Sequence, residues 1–102
     1  MLAFVTAKIA NLKPCITDKY RIIDEIHKQI VGREGIITYG NDGLHMVGSK
    51  HYTDEAIDLR VRDIVMPLRK KLAEVLASQL GKNYDVLLKS NPPHIHIEYD
   101  PK

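Results

Sequence analysis

Cysteine is nearly missing from this sequence. Cys15 is the single one, so an intrachain disulfide is excluded and stability has to come from packing or a bound metal. A dominant charge is missing too: 15 basic residues stand against 13 acidic ones, and a net +2 is too mild to imply a nucleic-acid partner. No apolar stretch approaches the ~20 residues of a membrane span. The apolar start, residues 1–7, is broken by Lys8 and has no basic segment before it, which argues against a secretory signal. Repeats, low-complexity tracts and linkers are absent. What is present is ordinary globular composition, 44% hydrophobic and 27% charged over 102 residues. That predicts one domain spanning 1–102, burying roughly 60–70% of its unfolded surface. A second domain around a dinucleotide does not fit, and nothing in the sequence sets an oligomeric state.

From Thr17 the apolar residues Tyr20, Ile23, Ile26 and Ile30 recur at spacings of three and four, which predicts a helix over 17–31. Thr17 or Asp18 can cap its start and Gly32 can close it. Residues 35–39 read as a short β-branched strand, followed by a turn-rich loop over 40–50. Residues 56–61 alternate, with Ile57, Leu59 and Val61 on one face and Ala56, Asp58 and Arg60 on the other. A second helix is expected over 63–80, with Pro67 tolerated in its first turn and Gly81 just past its end. Strands follow at 84–89 and, beyond Asn91-Pro92-Pro93, at 94–99. The order predicts an α+β fold: a small, mostly antiparallel sheet with two helices on one face.

The last strand is the most informative. Ile95, Ile97 and Tyr99 share an apolar face, while His94, His96, Glu98 and Asp100 share the opposite one. Two imidazoles therefore project from one side, about 6.5–7 Å apart. A catalytic zinc takes about three protein ligands and keeps one open position. His51, Asp58 and His96 offer such a set, and the small Ala56 leaves room beside them. If strands 56–61 and 94–99 are neighbours, Asp58 and His96 face each other across roughly 5 Å. Two neutral imidazoles and one carboxylate leave a bound Zn²⁺ with residual positive charge, which acidifies its water towards a pKa of about 7. The competing reading is an ion pair between Asp58 and Arg60 on the same face.

Ser49-Lys50-His51-Tyr52-Thr53-Asp54-Glu55-Ala56-Ile57-Asp58 resembles the Ser-x-His-x-x-Gly-x-Ala-x-Asp signature of the zinc D-alanyl-D-alanine carboxypeptidases and related phage endolysin peptidases. His94-Ile95-His96-Ile97-Glu98 resembles their closing His-x-His segment, and the likeness covers residues 35–100. These enzymes share a core with lysostaphin-type peptidases and the Hedgehog signalling domain. The resemblance implies that fold, a Zn²⁺ cofactor and a peptidoglycan peptide as substrate. It gives the ligand roles to His51, Asp58 and His96, an oxyanion-stabilising role to His94 and substrate contact to Ser49. It also implies a phage- or prophage-encoded protein, made in the cytoplasm or carried by the phage and acting on the wall after release.

Two departures stand out. The signature's glycine is Asp54, and the acid that the family places before its last histidine ligand is missing from Lys89-Ser90-Asn91-Pro92-Pro93. Asp54, Glu55 or His94 are the candidates to replace that general base, and Glu98 is a candidate to steady a metal-ligating histidine from behind. Arg33 or Arg60 are candidates for gripping a substrate carboxylate. His45 and Tyr52 are candidate site-lining residues near His51, with Tyr39 and Tyr99 as further phenolic donors. His27 and Cys15 read as structural. The basic run Arg60, Arg62, Arg69, Lys70 and Lys71 reads as a solvated face, with attraction to anionic wall polymer or nucleic acid as the alternative. A zinc-binding module without hydrolysis is the competing function.

Overall fold

The computed structural model describes residues 1–4, 7, 9–39 and 54–101. In chain order it contains β1 (Leu2–Ala3), α1 (Pro14–Thr17), α2 (Tyr20–Val31), β2 (Ile36–Tyr39), β3 (Ala56–Arg60), α3 (Met66–Leu80), β4 (Tyr84–Ser90) and β5 (Pro93–Tyr99). The α+β class holds, with a five-stranded sheet in the order β1-β2-β3-β5-β4. The sheet is mixed, because β1 joins β2 in parallel while the other pairings are antiparallel. Two residues of β1 are too few to show alternation, so composition gives no sign of that strand.

Alternation sets the two faces. Ile57, Leu59, Ile95 and Ile97 are fully or almost fully buried and pack with Ile23, Ile26, Leu72 and Leu76 of the helices. Burying each such side chain is worth about 1.5–3 kcal/mol, so this face anchors the domain. The opposite face carries Asp58 and His96.

The helix limits differ in detail from the periodic pattern. Helix α2 starts at Tyr20 rather than at Thr17, and neither Thr17 nor Asp18 caps it with a side chain. Pro14, pre-set for a first turn, starts the separate helix α1 instead. The break at Asp18 and Lys19 leaves both Ile16 and Ile23 buried. Gly32 closes α2 in the left-handed region, φ 94°, with its N–H on the Lys28 carbonyl at 3.0 Å. Helix α3 begins at Met66 rather than at 63, because Ile64 tucks into the core on a turn whose N–H bonds the Val61 carbonyl at 2.9 Å.

Asp24 ties the N-terminal strand to this frame. Its Oδ1 accepts the Gly35 N–H at 3.1 Å and its Oδ2 the Met1 ammonium at 2.6 Å. Beside it, His27 is fully buried, and its Nδ1–H donates to the Arg33 carbonyl at 2.5 Å. The other ring nitrogen, Nε2, has no hydrogen-bond partner among the described residues. Burial therefore depresses the His27 pKa, against a smaller raising effect of the Arg33 carbonyl. The structural reading of His27 agrees with this setting.

Candidate metal centre

The two central strands bring the candidate residues together. In the antiparallel β3–β5 ladder, Asp58 pairs with His96, Ala56 with Glu98 and Arg60 with His94. Asp58 is only 7% exposed, so its carboxylate needs polar partners. It has them: His96 Nδ1–H donates to Asp58 Oδ1 at 2.9 Å, and His94 Nε2 lies 3.9 Å from Asp58 Oδ2. On its far side, His96 Nε2–H donates to Glu98 Oε1, also at 2.9 Å.

The His96 ring is thus gripped by carboxylates at both nitrogens. Burial opposes its charge, but the hydrogen bonds to Asp58 and Glu98 together outweigh burial and raise its pKa above the ordinary imidazole value. A ring that donates from both nitrogens is an imidazolium, and with two carboxylates the trio carries net negative charge. Such a trio attracts a cation.

Asp58 and His96 supply two donors of the types that a zinc-type ion takes. Tetrahedral bonds of about 2.0–2.2 Å hold ligand atoms roughly 3.3 Å apart, close to the observed separation of Asp58 Oδ1 and His96 Nδ1. A metal at Nδ1 would take the place of a proton, leaving Glu98 to hold the ring from behind through Nε2–H. The third expected ligand, His51, lies outside the described residues, as do Ser49, His45 and Tyr52.

His94 is oriented by the backbone. Its Nδ1 lies 2.6 Å from the Pro92 carbonyl, which can only accept, so Nδ1 carries the proton. Nε2 is the ring atom turned towards Asp58, 3.9 Å from Oδ2.

Other candidates sit elsewhere. Glu55 faces Lys13, with Oε1 3.9 Å from Nζ, and its carbonyl accepts the Tyr99 N–H. Asp54 precedes β3 in the left-handed region, φ 61°, with its carbonyl on the Lys13 N–H. The position that the family signature fills with glycine is therefore one where the backbone favours glycine. Arg60 turns to Asp63, Nε to Oδ1 3.6 Å, and stacks over Phe4, so it is not the partner of Asp58. Arg33 is drawn to the same Asp63 at 2.9 Å. Arg69 donates to the Ile64 and Arg62 carbonyls, and Arg62 also lies over Phe4. Much of the basic run is thus committed to local structure. Tyr99 packs on Tyr84, with centroids 5.3 Å apart, while Tyr39 pairs in register with Asp58. Burial pushes the half-buried Cys15 thiol up in pKa, as expected of an inert thiol.

A second acidic group emerges at the other end of the ladder. Asp85, Glu98 and Asp100 present carboxylate oxygens within 4.8 Å of one another, an arrangement able to hold a metal ion. Asp85 escapes sequence reading because it joins Glu98 only through the β4–β5 register. A hairpin centred on Asn91-Pro92 would have shown it, since every pair across that turn has a constant sum of residue numbers.

Among the described residues, no helix is long and apolar enough to cross a membrane. No protein-family model, curated protein or solved structure matches this chain.

Proposed function

We propose that this protein is a zinc-dependent peptidase acting on peptidoglycan peptides, as a D,D-carboxypeptidase or an endopeptidase. The reading rests on one observation: Asp58 and His96 face each other at ligand-like distance, with Glu98 bonded to the far nitrogen of His96. That relation supports the roles implied by the two sequence motifs, with His51, Asp58 and His96 as the metal ligands. When bound, zinc would polarise the scissile carbonyl and lower the pKa of a water. Asp58 supplies negative charge in a site largely shut off from solvent, and Glu98 fixes the orientation of the His96 ring. His94, oriented through Nδ1 by the Pro92 carbonyl, is the proposed general base, in place of the acid that segment 89–93 does not supply. Ser49, His45 and Tyr52 are the proposed substrate contacts.

A second reading has its own observation. Segment 89–93, where the family places its acidic base, carries no carboxylate, and Glu55 is engaged with Lys13. That favours a zinc-binding structural or adhesive module on the same fold. Zinc-loaded protein incubated with stem and cross-bridge peptides separates the two. Zinc-dependent appearance of cleavage products supports the peptidase. One tightly bound zinc per chain with no turnover supports the module.

A further inference from the structure

Strand β4 ends the sheet, and among the described residues it pairs only with β5. It runs for seven residues without a proline and without a register shift against β5. An end strand of that length presents a row of backbone N–H and C=O groups to any chain that can pair with it. Leu87, in its middle, is 45% exposed. Alongside it, a groove of about 310 Å³ lies between α3 and β4, lined by Lys70, Ala73, Glu74, Ala77, Val86 and Leu88.

The strand is complementary to itself. Turned antiparallel about a two-fold axis through Leu87, it sets Asp85 opposite Lys89 of a second copy, twice over. The same axis sets Val86 opposite Leu88, Leu87 opposite Leu87, and Tyr84 opposite Ser90. Opposite charges directly across an antiparallel pair stabilise it, as do facing aliphatic side chains. A shift of two residues in either direction breaks both Asp–Lys pairs, so the charges select one register. On the helix side, Lys70 and Glu74 stand one turn apart on α3 with opposite signs, and both line the groove beside β4.

We propose that this chain forms a homodimer by antiparallel β4–β4 pairing, continuing the sheet across the two-fold axis. The occupant is a second copy, because the charge order along β4 matches its own reverse. A two-fold axis normal to the sheet keeps both His96-bearing faces on the same side, so the dimer presents two candidate metal centres to one extended polymer.

Sedimentation of the full chain over a range of concentrations tests this. A monomer–dimer equilibrium is expected, with an unchanged far-ultraviolet circular dichroism spectrum in the variants below as the check on folding. Lys89→Asp places like charges opposite each other and should raise the dimer dissociation constant by about tenfold or more. Adding Asp85→Lys to it restores opposite charges and should recover the dimer. In a Cys15→Ser background, Leu87→Cys should form an intermolecular disulfide on mild oxidation, since the axis sets that residue against itself. A chain that stays monomeric up to millimolar concentration overturns the proposal and leaves the edge to an extended segment of another protein. So does a dimer indifferent to Lys89→Asp, or a double variant that fails to recover.

Discussion

Asp58 and His96 occupy one register pair between β3 and β5, and carboxylate Oδ1 lies 2.9 Å from ring Nδ1. Glu98, two residues along the same strand, takes the other ring nitrogen. The order carboxylate, imidazole, carboxylate places a buried Asp58 and a half-buried His96 and Glu98 in one hydrogen-bonded line, the proposed metal centre.

Zinc affinity should follow that order. Glu98→Gln keeps the ligands but weakens the acceptor that orients His96, and should lower zinc affinity by about 10–100-fold. Asp58→Asn removes a charged ligand and should cost more than Glu98→Gln. Competition titration against a zinc chelator measures both, and equal affinities across wild type and both variants would remove the centre from consideration.

The left-handed backbone at Asp54 predicts an ordered series. Asp54→Gly should hold or raise the melting temperature, because glycine adopts φ 61° without strain. Asp54→Val should lower stability by about 1–2 kcal/mol, since a β-branched residue resists that region. Thermal unfolding of the metal-free variants checks the ranking.

Buried His27 predicts a loss of stability in mild acid. Its folded pKa lies below the unfolded value of 6.5, so below that pH the unfolded chain binds the proton more readily. Stability should therefore fall as pH drops from about 6.5 towards the folded value. Arg33 opposes the charge on this ring, while Asp24 and Asp63 favour it. The raised pKa of His96 acts with the opposite sign, its contribution being present below 6.5 and lost as pH rises through its folded value. Denaturant unfolding between pH 5 and 8 of wild type and His27→Gln separates the two, and the variant should lose the acid-side decline.

Fully buried Leu76 joins α3 to the sheet core. Leu76→Ala should destabilise the domain by about 2–5 kcal/mol, through lost burial and the cavity left behind. Urea unfolding monitored by circular dichroism reads this directly.

The sequence by itself determined what depends on neighbours along the chain. Period-two alternation put His94, His96 and Glu98 on one face, three-and-four spacing marked Ile23 and Ile26 as core, and Gly32 and Gly81 marked the helix ends. Only the tertiary structure decided what depends on strand order and register. It paired Asp58 with His96 rather than with Arg60, brought Asp85 to Glu98, and added β1 in parallel to β2. A side chain's face follows from the geometry of its own strand, but its partner across the sheet is set by which distant strand packs alongside, and that follows from burial of the whole core.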